Sequence, residues 1–196
     1  AEAELAITLL QDERQELTED FVAEAQPLLE AFVEQANEST DQDVRQWASR
    51  HAGFADLFQP GLQVRWFANE QCEGEPYHEG ISAEIDLDKE EFPERSEKVS
   101  AIWTGSLRIT QAGSYRLQLT SDDGSRLSLA GEQIIDNWGY HGMEEKSAKV
   151  DLSVGRHPIE IRYMQGGGGG GIRFEWQPPG AKDYEPVGGE HIVHRP

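Results

Sequence analysis

The chain has 196 residues, 37% of them hydrophobic, which is enough for one sizeable domain and an appendage. A formal net charge of −20 at pH 7 repels phosphate backbones and anionic lipid, which argues against nucleic-acid and membrane-surface partners. The single cysteine, Cys72, excludes an intrachain disulfide, and no apolar run approaches the roughly 20 residues of a transmembrane helix.

Residues 1–59 read as an acidic amphipathic helical segment. Leu17, Phe21, Leu28 and Phe32, with Val22, Leu29 and Val33 beside them, recur at steps of three, four and seven. Pro27 predicts a kink or two abutting helices, and Ser39 or Thr40 caps a shorter helix that ends near Gly53. The segment carries 14 acidic and 3 basic residues. It is either a helical cap packed on the next domain or an arm that docks on another protein subunit.

From residue 60 to 196 the pattern changes to short alternating strands. LQVRWF, SLRIT, SYRLQLT, RLSLAG, EQIID, SAKVDLS, HPIEIRYM and IRFEW are the clearest. In SYRLQLT, Tyr115, Leu117 and Leu119 face one way while Arg116, Gln118 and Thr120 face the other. Many short strands without intervening helices predict a mainly β chain, an antiparallel β-sandwich or barrel. The C-terminal His191 and His194 read as part of a frayed tail.

Several chemistries find no support in the motifs. The run Gly166–Gly171 satisfies G-x-G-x-x-G, but a strand follows it where a dinucleotide site needs a helix. There is no P-loop, H-E-x-x-H or G-x-S-x-G element, so catalysis is not expected. The excess acidity serves solubility or salty surroundings, and it also offers carboxylates to a divalent cation. By itself, Asp122-Asp123-Gly124 is an ordinary turn.

Five words stand out together: Trp103-Thr104-Gly105, Gly113-Ser114-Tyr115, Ser121 to Arg126, Ile135 to Gly139 with His141, and the glycine run before Ile172. Over about residues 61–187 they closely resemble the PA-fourteen domain, the β-sandwich first named in an anthrax toxin's protective antigen. That domain also occurs in yeast flocculins and other adhesins, in some glycosidases and in bacterial surface proteins. The resemblance implies a β-sandwich, an extracytoplasmic location, and two neighbouring aspartates that hold calcium through a cis peptide bond. The matching pair is Asp122 and Asp123. Further calcium oxygens are implied in the loop of Gln165 to Gly171, with Gln165, Gly167 and Gly168 as candidates.

A glycan on that ion would meet Asp122, Asp123, Gly169 and two exposed contacts, Tyr140 and His141. Asp136 and Asn137 are expected to form a turn, and Trp138 to pack in the sandwich. One departure from the family is Ala130-Gly131, where Asp-Gly is usual, which weakens a hairpin turn. The expected function is a non-catalytic, calcium-dependent carbohydrate-binding or adhesion module. The alternative is a structural or interaction subunit of a cell-envelope complex that docks through the N-terminal helices.

Overall fold

The computed structural model describes residues 58–195. The helical reading of residues 1–59 lies outside them except for its last two residues. The strands are β1 (Gln59–Pro60), β2 (Leu62–Phe67), β3 (His78–Ser82), β4 (Asp86–Asp88), β5 (Val99–Ile109), β6 (Gly113–Asp122) and β7 (Ser125–Leu129). They continue with β8 (Glu132–Asn137), β9 (Glu144–Leu152), β10 (Gly155–Gln165), β11 (Gly171–Gln177), β12 (Glu185–Pro186) and β13 (Ile192–His194). The pairings among β2 to β13 are antiparallel, as the alternation predicts.

The strands form two sheets. The larger runs β1-β13-β5-β10-β7-β8, with β2 on β5 and β3 on β2; the smaller runs β12-β11-β6-β9, with β4 on β11. Alternate residues of each sheet fill the space between them. Trp66, Trp103, Leu127, Ile161 and Tyr163 come from the larger sheet, and Tyr115, Leu117, Leu119, Ile172 and Phe174 from the smaller. Each such aliphatic side chain contributes about 1.5–3 kcal/mol through burial. At one end of this core Trp66, Phe92 and Tyr163 pack as an aromatic cluster, with Tyr163 5.6 Å from Phe92 and 6.5 Å from Trp66 between ring centroids.

The central strand β5 explains one sequence word. One edge pairs along its whole length with β10, while the other is divided between β2 and β13. Gly105 lies where these two short strands meet. A Cβ there would stand 2.6 Å from both Leu62 Cδ2 and the Val193 carbonyl oxygen, so the seam closes only around glycine.

Some expectations change. SLRIT is only the last part of β5, and SAKVDLS the later part of β9, whose first four residues are all exposed and so lack an apolar rhythm. The C-terminus is not a frayed tail: Ile192 and Val193 are buried in β13, and the His194 Nδ1 lies 3.1 Å from the Gly61 carbonyl. Three residues are too few for alternation to register.

The β7–β8 hairpin turns on Ala130 and Gly131 with φ of 49° and 82°, both left-handed, as a two-residue type I′ turn requires. Alanine is the wrong residue for the first position, because its Cβ crowds the backbone there. Ala130→Asn is therefore expected to stabilise the chain by about 0.5–1 kcal/mol, raising Tm by roughly 1–4 °C in a thermal melt.

Candidate functional site

The site is built where β6 ends, where the glycine loop between β10 and β11 passes, and where the chain leaves β8. The Asp122–Asp123 peptide bond is cis. Asp123 is buried, and its carboxylate is held from two directions: Oδ1 accepts the His141 N–H at 3.0 Å and Oδ2 the Gly166 N–H at 2.9 Å. Charge-assisted bonds to backbone donors are what a buried carboxylate requires.

Asp122 is treated differently. It is only partly buried, and its carboxylate accepts no hydrogen bond among the described residues. A Cβ on Gly169 would stand 2.8 Å from its Oδ2, so the glycine loop forms a bare backbone wall against this carboxylate. Burial, and then the neighbouring Asp123, push the Asp122 carboxyl above the usual carboxylate range, while His141 and Lys89 pull it down.

Gln165 stands behind the pair. It is fully buried; its Oε1 accepts the Asp123 N–H at 3.1 Å and lies 3.1 Å from the Tyr163 hydroxyl, and its Nε2 donates to the Gly169 carbonyl. Its amide therefore braces the loop from within. The Tyr163 hydroxyl donates to the Asp122 carbonyl at 2.6 Å and accepts the Gly171 N–H at 3.2 Å. Burial pushes its phenol well up, so it remains a neutral donor.

The loop carbonyls are mostly engaged. Gly166 and Gly170 accept the N–H groups of Lys98 and Lys89, and Gly168 accepts the Lys89 Nζ at 2.6 Å. Lys89 also pairs with Glu97 at 3.3 Å. This leaves Gly167 as the loop carbonyl without a partner among the described residues. No cluster of three or more His, Cys, Asp or Glu side chains is placed to hold a metal among those residues. A cation here would take the carboxylates of Asp122 and Asp123 and complete its shell with backbone or ligand oxygens, the hard donors calcium accepts.

The exposed contacts are placed as expected in one case only. Tyr140 is 70% exposed; its hydroxyl donates to Glu70 at 2.6 Å, and its ring crowds the space a Cβ on Gly166 would need. The His141 ring is tied down, with Nδ1 2.8 Å from the Gly142 carbonyl and Nε2 2.9 Å from the Asn137 carbonyl. Asp136 and Asn137 end strand β8, and Asn137 is buried with its amide donating to Ser121 Oγ and the Glu144 carbonyl. Trp138 does not pack in the sandwich; it is half-buried under the Arg126 guanidinium, 4.7 Å from its ring centroid.

The residues missed in the sequence are Lys89, Tyr163 and Arg162, with Arg126 inside a quoted motif but unassigned. Arg126 and Arg162 point outward in their alternating strands. Only the register of β7 on β10 sets them directly opposite each other.

The β-sandwich thus presents a carboxylate pair against a glycine wall, on loops that a rigid scaffold holds in place. The chain belongs to the PA14 domain family, whose profile matches residues 59–189. Anti-sigma-I factor RsgI3 of Acetivibrio thermocellus is 31% identical over 81 residues, 40% of this chain and 13% of that protein. An anti-sigma factor domain-containing protein from Clostridium clariflavum aligns with TM-score 0.63 and 27% identity, covering 69% of this chain and 48% of that one. The chain thus spans half or less of these relatives. The PA14 sugar-binding domain from an RTX adhesin shares the fold, with TM-score 0.59 and 23% identity over 69% of this chain and 98% of that one.

The two carbonyls on the His141 ring give a pH prediction. Burial alone would lower its pKa, but the Asn137 and Gly142 carbonyls, then Glu144 and Asp123, raise it above 6.5. Both ring nitrogens can donate only in the imidazolium. A raised histidine contributes stability that is present below pH 6.5 and lost as pH rises through the folded value. In calcium-free buffer, the difference in urea midpoint between wild type and His141→Gln should shrink as pH rises from about 6 to 8. An NMR titration should put the ring pKa above that of a free histidine.

Proposed function

We propose that this chain is a non-catalytic carbohydrate-binding module whose sugar site is organised by calcium held between Asp122 and Asp123. One observation carries the reading: the partly buried Asp122 carboxylate accepts no hydrogen bond among the described residues, stands beside a second carboxylate, and faces glycine backbone. Two adjacent anions without a shared donor favour a divalent cation. Calcium would supply open coordination positions for sugar hydroxyls. The glycine wall, lacking Cβ atoms, lets a ring approach the backbone, and Tyr140 offers an exposed aromatic edge. Gln165 and Tyr163 act on the ligand only by positioning the two carboxylates and the loop.

The shared fold with the sugar-binding domain of an RTX adhesin supports the carbohydrate part of this reading. The longer anti-sigma relatives support the module part: in each, the matched region is one piece of a longer protein. An extracytoplasmic setting, where calcium reaches millimolar levels, suits a weak calcium site.

Melting curves with calcium and with chelator test the reading. At a calcium concentration about a hundredfold above Kd, binding stabilises the fold by about 2.7 kcal/mol, a rise of roughly 5–10 °C. Asp122→Asn should abolish that rise while leaving the chelated protein as stable as wild type or slightly more so, since the Asp122 side chain holds no partner among the described residues and its backbone bonds are kept. Identical wild-type curves in calcium and chelator would remove the calcium claim.

Gly169→Ala isolates the wall from the ligands. Its Cβ, 2.8 Å from Asp122 Oδ2, must push the carboxylate aside. The calcium-induced rise in Tm should fall to less than about half, with the chelated Tm within about 2 °C of wild type.

A further inference from the structure

The outer face of the larger sheet carries a second feature. A groove of about 370 Å³ lies there, lined by Glu70, Arg126, Trp138, Tyr140, Arg162 and Met164. Its volume falls within the roughly 300–1,000 Å³ of small-ligand pockets. Tyr140 belongs both to this groove and to the edge of the carboxylate site, because its ring packs on Gly166, whose N–H holds Asp123.

Two arginines stand in this groove of a chain whose net charge is −20. Arg162 on β10 and Arg126 on β7 are register partners, so two cations stand directly opposite each other. Such a like-charge pair is unfavourable unless something anionic lies between or beside them. Each is met by a carboxylate, Glu160 on Arg162 at 2.7 Å and Asp136 on Arg126 at 2.9 Å. Both contacts use Nε, so the terminal nitrogens of both guanidinium groups lie outside these pairs. Arg126 is fixed further by stacking on Trp138. The loop before β3 closes the groove on one side: the Cys72 N–H donates to Ser100 Oγ, and Ser100 Oγ donates to the Asn69 carbonyl. Glu70 is turned to Tyr140, leaving one of its oxygens for a hydroxyl donor.

We infer that this groove binds the carboxylate-bearing ring of a uronic-acid residue, with the carboxylate on the terminal nitrogens of Arg126 and Arg162 and the ring against Tyr140. The inference rests on the carbohydrate reading above and not on its calcium. A chain of net charge −20 repels anions in general, so preference for an acidic sugar has to come from a local cationic pair such as this one. A planar guanidinium is the side chain best matched to a carboxylate.

The test is a ¹⁵N–¹H NMR titration of the wild-type chain with methyl β-glucuronide, methyl β-glucoside and glucose 6-sulfate, each in calcium and in chelator. The glucuronide is expected to shift the Trp138 indole and the Nε signals of Arg126 and Arg162. Its affinity should exceed that of the glucoside by about tenfold, the effect of a charge-assisted hydrogen bond, in both buffers. Arg162→Gln should remove that preference and Arg162→Lys retain part of it. Equal response to glucuronide and glucoside, tighter binding of the sulfate, or an undiminished preference in Arg162→Gln would overturn the inference. So would loss of the glucuronide response in chelator, which would place the carboxylate on calcium instead. A flat calcium melting curve with a surviving glucuronide preference would sink the calcium site and leave the groove standing.

Discussion

The buried carboxylate of Asp123 is the constraint on which the rest of the site depends. Its two oxygens accept N–H groups from Gly166, the first residue after β10, and His141, the fourth after β8, in two loops that leave different strands of the larger sheet. A buried anion tolerates no loose partner, so these bonds pin both loops to one side chain. Once Gly166 is fixed, the glycines after it are carried past Asp122. Once His141 is fixed, the neighbouring Tyr140 is held over Gly166. One side chain therefore sets the wall, the aromatic edge and the distance between them, while Asp122 beside it is left unbraced.

Tyr163 joins this arrangement to the core. Its ring belongs to the aromatic cluster with Trp66 and Phe92, and its hydroxyl reaches the Asp122 carbonyl, Gln165 and the Gly171 N–H. A residue with an apolar body and a polar tip suits this boundary, because the ring gains from burial while the hydroxyl satisfies groups that would otherwise be orphaned. That phenol, with the Asp123 carboxylate and the Gln165 amide, ties the loops to the sandwich. The seam at Gly105 works at the other level: it lets β2 and β13 share one edge of β5, which keeps β5 and β10 paired along their full length up to Gln165.

Much of this was legible in the sequence, for identifiable reasons. Period-two alternation in β6 reflects burial on one face, so Tyr115, Leu117 and Leu119 fall on one side of their strand from the chain alone. The Asp122-Asp123 pair and the glycine run were legible as motifs. The role of Gln165 was not, since an amide at the head of a glycine loop looks the same whether it faces an ion or braces the loop. Trp138 and His141 were misplaced because exposure near a turn depends on what lies across the sheet: Arg126 in one case, two backbone carbonyls in the other. β13 was invisible because three residues carry no rhythm, although Ile192 is fully buried.

The carboxylate pair and the groove share one aromatic, Tyr140. On one side of Tyr140 lie Asp122 and Asp123, the carboxylates proposed to hold calcium; on the other lie Arg126 and Arg162, the guanidinium groups inferred to meet an anion. A neutral ligand would gain little from such polarity. A ring with vicinal hydroxyls at one edge and a carboxylate at the other would be oriented by it, because reversal would set its carboxylate against Asp122 and its hydroxyls against Arg162. Orientation of that kind costs the protein nothing in new ordering, since Asp123 and the Arg126–Trp138 stack already hold both ends in place.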